Sequence, residues 1–71
     1  MEYRSTIDRL VGSSGVAMTA IPQDRTGIGI VKVNSQQWSA ATDDPVEIAP
    51  GTKVWVTARD RVTLIVVADQ G

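Results

Sequence analysis

The stretch GIGIVKVNSQQWSA, residues 27–40, alternates apolar and polar residues and carries a polar Asn-Ser-Gln-Gln run in its middle. Gly29, Val31 and Val33 fall on one side of a chain with a period of two, which is the period of a β-strand with one buried face. The stretch therefore predicts a β-hairpin. A chain of 71 residues buries only about 60% of the surface it exposes when unfolded, so the core around this hairpin must be compact and well closed.

The segments that flank the hairpin continue the same period. We predict one strand over residues 15–21, two in the hairpin, a fourth from Lys53 to Ala58 and a fifth from Val62 to Ala68. β-Branched residues dominate the last two strands, and Pro50-Gly51 ahead of them is a strong turn signal. Five short strands without a long helix predict an all-β fold, a small five-stranded OB-like Greek-key barrel or an SH3-like one.

The first 14 residues lack the period-two pattern of the rest of the chain. Ile7, Leu10 and Val11 have the spacing of a helix, and the Gly-Ser-Ser-Gly run that follows is typical of a break. A single helical turn and a flexible arm both fit this segment. We therefore divide the chain into an N-terminal arm or linker, 1–14, and an OB-like β-barrel domain, 15–71.

Composition excludes several kinds of site. The sequence has no Cys and no His, so disulfides, thiolate or imidazole metal sites and the usual nucleophile–base pairs are unavailable. Seven Lys/Arg and eight Asp/Glu are spread along the chain, and only three residues are aromatic. A nucleic-acid binder relies on phosphate neutralisation and on stacking platforms, and this chain is poor in both.

Few residues have a pattern that suggests catalysis. Asp43-Asp44 is the only pair of adjacent carboxylates in the sequence, and Ser39 with Lys53 is a dyad that nothing in the pattern singles out. The Gly27-x-Gly29 sequence lacks the remaining glycine and the helix of a dinucleotide-binding loop. We predict that the chain is not an enzyme and needs no cofactor or metal.

An ordered set of residues from position 10 to position 68 follows a known pattern: a leucine and a glycine, G-x-A-x-T-x-L-x-P, a G-x-V-x-V hairpin, an aromatic residue, I-x-x-G-x-x-V-x-V and a final L-x-V. The matching residues are Gly15, Ala17, Thr19, Gly29, Val31, Val33, Trp38, Ala40, Ile48, Gly51, Val54, Val56, Leu64 and Val66. The chain thus resembles the soluble C-terminal domain of the NfeD-like family. It departs from the pattern where proline directly follows Ile21 and where Asn34-Ser35 replaces a turn glycine, although Asn tolerates the left-handed conformation.

The resemblance implies an OB-like barrel that usually follows transmembrane helices in its parent protein, and in some members an N-terminal serine protease domain. It also implies association with stomatin- or flotillin-type membrane scaffold proteins. We therefore expect a non-catalytic protein–protein interaction module on the cytoplasmic face, whose membrane contact runs through a transmembrane segment absent from this sequence. The alternatives are an OB-fold module that binds single-stranded nucleic acid, and a structural spacer that forms homo-oligomers.

The final hairpin locates the expected partner-binding face. If its apolar residues face inward together, Val56 pairs with Leu64, and the connection spans Arg59 to Arg61. The outer pairs of this register are Trp55–Ile65 and Lys53–Val67.

The candidate partner-binding residues are Trp55, Ile65, Val67 and Ile30. Exposed apolar clusters often mark interaction sites, and Trp is enriched among residues that dominate binding energy. The competing interpretation is an ordinary cross-strand pair of Trp55 with Ile65, covered by Ile7, Leu10 and Val11.

Trp38 belongs to the predicted core, because it shares the parity of Ala40 and follows the apolar face of the hairpin. Gly29 and Ala40 are then expected to leave room for its indole. Four basic residues can line one end or side of the barrel and bind anions, although a solvated surface is the simpler interpretation. They are Arg25, Lys32, Arg59 and Arg61.

Overall fold

The structure, a computed structural model, describes residues 10–69. Its strands are β1 (Ser14–Ala17), β2 (Gly29–Val33), β3 (Gln36–Ala41), β4 (Lys53–Asp60) and β5 (Thr63–Ala68). They close into a barrel in the order β1-β2-β3-β5-β4. The β3–β5 pairing is parallel and the others are antiparallel. The predicted all-β, five-stranded OB-like barrel is confirmed.

The β2–β3 hairpin forms as predicted, with Val31 opposite Trp38. Its turn is shorter than the polar run of residues 34–37, because Gln36 already pairs with Val33. Asn34 and Ser35 alone make the turn, with φ values of 52° and 67°. Two successive left-handed residues give the turn a twist that matches the twist of the flanking strands.

Most of the core comes from inward side chains of the five strands, and the residues predicted to face inward on β2, β4 and β5 are buried. Its buried members are Leu10, Ala17, Ile21, Val31, Val33, Ala40, Ile48, Val54, Val56, Leu64 and Val66. Leu10 precedes the predicted barrel boundary, and the Gly12 amide donates to the Val56 carbonyl at 2.7 Å. Ile7, the first residue of the helical spacing, lies outside the described residues. The division at 14/15 stays a prediction.

The first strand is shorter than expected. β1 ends at Ala17, and the amides of Met18 and Thr19 both donate to the Ile30 carbonyl, at 2.7 and 3.3 Å. Because two successive amides share this one carbonyl, the regular hydrogen-bond pattern between β1 and β2 ends here and the chain bends. Ile21 then forms an isolated bridge to Ile48. No helix between residues 10 and 69 is long and apolar enough to cross a membrane.

Gly29 allows a close backbone approach that the sequence did not suggest. A Cβ added at this position would lie 2.5 Å from the Ala20 carbonyl oxygen and 2.7 Å from Ile21 Cγ1. The glycine therefore permits the close approach of the segment after β1 to β2. The expectation that it also leaves room for the indole stays a prediction.

Gly29→Ala is expected to lower the free energy of unfolding by about 1–3 kcal/mol, because backbone atoms must move to admit the methyl group. Urea denaturation of the two proteins measures the difference. Ser39→Ala is the matched control, since Ser39 is exposed on the same hairpin, and its effect should stay within about 0.5 kcal/mol. Equal midpoints for Gly29→Ala and the parent would show that the two segments separate easily.

The predicted register of the last hairpin is wrong. Val56 pairs with Val66 and Trp55 with Val67, and a bulge at Thr57 changes the register beyond them. β4 continues to Asp60, so Arg61 and Val62 alone form the turn. The register before the bulge differs from the predicted one by two residues. A shift of two preserves the alternation of faces, so the four residues assigned to the inner face of this hairpin are buried, although Ile65 is buried as well.

Candidate functional site

Trp55 occupies the outer face of β4, as the sequence predicts. Its side chain is 42% exposed, and its cross-strand neighbours are Val67 on β5 and Ser14 on β1. Val67 is half-buried. These three residues form a row across three strands, in which an indole and an isopropyl group lie directly opposite each other.

Two further apolar side chains extend this surface, and the sequence-based site did not include them. Val16 and Met18 lie on β1 and just beyond it, and they are 42% and 43% exposed. Val16 is the diagonal neighbour of Trp55, because Trp55 pairs with Ser14 two residues earlier on β1. The parity of the first strand, which separates Val16 and Met18 from buried Ala17, is the signal that could have identified them.

The outer-face patch, as we use the term, consists of Trp55, Val67, Val16, Met18 and Ile30. Ile30 is half-buried and pairs with Ser39. It lies on β2, two strands from Trp55, and β1 lies between them. Val16 and Met18 thus connect residues that the sequence had grouped without a link.

The predicted exposure of Ile65 is wrong, since this side chain is only 5% exposed. The register explains the error. Ile65 lies opposite Ala58, beyond the bulge at Thr57, and also beside Ala41 of β3. The Thr57 hydroxyl donates to its carbonyl at 3.3 Å. Ile65 is therefore separated from Trp55 and is not available on the outer face of this chain.

A basic row crosses the outer-face patch. The two lysines of the sequence, Lys32 and Lys53, both pair with Val16, one from each neighbouring strand. Lys53 Nζ lies 3.8 Å from Asp69 Oδ2, and its side chain remains 62% exposed. This outer face is consequently amphipathic: two lysines flank Val16 in a middle row, and an apolar row lies on either side of it.

The other charged cluster lies among the loops. Arg25 binds Asp43 through two nitrogens, with Nη2 3.0 Å from Oδ2, and its Nη1 lies 3.6 Å from Asp60 Oδ2. The hydrogen bond to Asp43 raises the pKa of Arg25, and the charges of Asp43 and Asp60 act in the same direction. Arg25 therefore joins the loop after β1, the loop after β3 and the end of β4. Asp43, one of the two adjacent carboxylates, therefore takes part in an ion pair between loops.

Trp38 is half-buried and packs against the core cluster, so its predicted core position is confirmed. Its Nε1 is buried and has no hydrogen-bond partner among residues 10–69. The indole packs against the core cluster, opposite Val31 in the hairpin register, and contributes through packing rather than through a hydrogen bond.

Several solved structures share this fold. The C-terminal domain of stomatin operon partner protein 1510-C from Pyrococcus horikoshii has a TM-score of 0.79 and 28% identity, covering 96% of this chain and 100% of that one. The soluble domain of a membrane protein implicated in regulation of membrane protease activity, from Corynebacterium glutamicum, has a TM-score of 0.78 and 26% identity over 89% and 97%. The soluble domain of the NfeD protein YuaF from Bacillus subtilis has a TM-score of 0.77 and 31% identity over 90% and 79%.

No curated protein matches the chain. Residues 7–67 match the family model of the NfeD-like C-terminal, partner-binding domain. This range includes every strand except the final residue of β5, together with the whole outer-face patch. The chain therefore belongs to the NfeD-like family, as a C-terminal, partner-binding domain.

Proposed function

We propose that this domain is a non-catalytic interaction module of a NfeD-like membrane protein, and that it binds a stomatin- or flotillin-type membrane scaffold protein on the cytoplasmic face. The family description as a partner-binding domain supports a protein partner. The likeness to a stomatin operon partner protein supports the class of scaffold. The single observation that carries the choice of surface is the exposed indole of Trp55 opposite Val67.

The outer-face patch suits a protein partner because its exposed apolar residues are near neighbours on the sheet: Val16 lies diagonal to Trp55, and Met18 lies two residues further along the chain. Trp55, Val16 and Met18 each keep about two fifths of their surface in water, although single exposed apolar residues are common and need no explanation. A cluster of them that includes Trp is the kind of surface that interfaces bury, since Trp combines a large contact area with few rotatable bonds. Burial of this cluster against a scaffold protein would remove it from water.

Immobilised domain is expected to retain a purified stomatin- or flotillin-type protein from the source organism in detergent. Trp55→Glu should reduce the retained amount at least about tenfold, because it replaces the largest apolar side chain of the contact with a charge. Pull-down followed by a titration on a biosensor surface measures both effects. The circular dichroism spectrum and melting temperature of the variant must first match those of the parent.

Val62→Glu is the matched control for this experiment. Val62 is 71% exposed on the β4–β5 turn, outside the outer-face patch, so the same charge should leave retention unchanged. Failure of the parent domain to retain either scaffold class would contradict the proposed partner. Equal losses in both variants would contradict the proposed surface. A labelled single-stranded oligonucleotide at low salt should not bind, and saturable binding would favour the nucleic-acid alternative.

A further inference from the structure

We infer that the partner segment covering the outer-face patch is an acidic one, whose carboxylates lie between two apolar contacts and pair with Lys32 and Lys53. This inference rests on the proposed function for the choice of surface. It adds the chemistry of the segment that this surface recognises.

The cross-strand registers arrange the face in three rows. The first row holds Val67, Trp55 and Ser14. The second row holds Lys53, Val16 and Lys32 on neighbouring strands, with Asp69 and Gln37 at its ends. The third row holds Met18, Ile30 and Ser39. On β4 and β2, a lysine of the middle row therefore precedes or follows an apolar residue of an outer row by two positions, and on β1 Val16 lies between the two lysines.

Strand geometry gives this pattern its dimensions. Rows two residues apart on a strand are separated by about 6.7 Å, so the two apolar rows lie about 13 Å apart. Lys32 and Lys53 belong to strands on opposite sides of β1, which puts their backbones about 10 Å apart. A segment that contacts both Trp55 and Met18 must pass over the lysine row. Its side chains at that point lie within reach of two ammonium groups.

The charge of the lysine row is local and only partly compensated. The whole chain has a net charge of −1, but the cross-strand neighbours of Lys32 are the neutral Val16 and Gln37. Lys53 has Asp69 at 3.8 Å. Carboxylates of a partner would find complementary charge here, whereas a basic partner would be repelled.

The same arrangement favours an acidic peptide segment over a nucleic acid or a lipid surface. A nucleic-acid strand places phosphates along its whole length and needs a continuous basic track. An anionic membrane attracts clusters of several basic residues, with about 1 kcal/mol from each. Lys32 and Lys53 make one short row with apolar groups on both sides, which suits a few carboxylates set between apolar side chains.

A pair of short synthetic peptides tests this inference without any scaffold protein. Both contain the same apolar residues, one with glutamates and the other with lysines between them. In amide-detected NMR titrations, the glutamate peptide should shift the resonances of Val16, Met18, Lys32, Lys53 and Trp55. The lysine peptide should bind at least about tenfold more weakly, and the difference should shrink as salt is added.

The double variant Lys32→Glu/Lys53→Glu should reverse the preference and select the lysine peptide. Arg61→Glu is the control, because it changes one charge on the exposed β4–β5 turn, outside the lysine row, and it should keep the preference for glutamate. Equal binding of both peptides, shifts confined to other surfaces, or no binding at all would overturn the inference. So would binding to phosphatidylglycerol vesicles or to an oligonucleotide without any response to the glutamate peptide.

The outcomes separate this inference from the proposed function. Trp55-dependent retention of a scaffold protein, together with no charge preference among peptides, leaves the function standing and contradicts the acidic segment. Glutamate-peptide binding at the outer-face patch, together with no retention of a scaffold protein, supports the surface chemistry and contradicts the proposed partner.

Discussion

Leu64→Ala is expected to lower the free energy of unfolding by about 2–5 kcal/mol, the range for removing a fully buried leucine side chain. Leu64 is 0% exposed and lies on β5, where it pairs with Ala40 of β3 and Arg59 of β4. It therefore fills the barrel at the parallel contact that closes the sheet. Single domains are stable by only about 5–15 kcal/mol in total, so such a loss removes much of the stability of a chain this small.

Urea denaturation followed by tryptophan fluorescence measures this effect. Leu64→Met is the matched control, because it keeps most of the volume and should lower the stability by less than about 1.5 kcal/mol. Val62→Ala, on the exposed turn of the same hairpin, should change it by no more than about 0.5 kcal/mol. If Leu64→Ala behaved like Val62→Ala, the β3–β5 contact would not close the barrel in solution.

Local sequence signals were sufficient for most of the fold. The hairpin of β2 and β3 follows from strict alternation and from Asn34 in a tight turn, both of which depend on neighbouring residues alone. The last hairpin was placed less well. Arg59-Asp60-Arg61 has the composition of a loop, yet β4 extends to Asp60 and a bulge occurs at Thr57. A bulge is set by the curvature of the closed barrel, and single-sequence periodicity does not contain that information.

The sequence predicted the candidate site wherever the alternation of side chains between the two faces of a strand was sufficient information. Parity put Trp55 and Val67 on the outer face, and the structure also pairs them, which the predicted register did not. Ile65 has the same parity and is nevertheless buried. The lysine row depends on β1 pairing with both β2 and β4. Contacts between strands so distant in sequence come from the topology of the barrel, and no local pattern encodes them.

Trp38→Ala is the second substitution from which we expect a large effect. The indole packs against the core cluster but stays half-buried, so the expected loss is about 3 kcal/mol, at the lower end of the range for removing a large aromatic side chain. Thermal and urea unfolding measure it, with fluorescence from Trp55 as the probe. An unchanged midpoint would place the indole on the surface.

Trp38→Phe distinguishes packing from hydrogen bonding at this position. The buried Nε1 of Trp38 has no hydrogen-bond partner among residues 10–69, and an unsatisfied buried donor costs about 1–3 kcal/mol. Phenylalanine keeps an aromatic ring in the barrel and removes that donor, so its loss should be less than half of that for Trp38→Ala. A loss as large as that of Trp38→Ala would mean that the indole N–H stabilises the barrel in solution. A small loss would show that the hairpin uses the Trp38 ring to pack against the core, which leaves Trp55 as the tryptophan available to a partner.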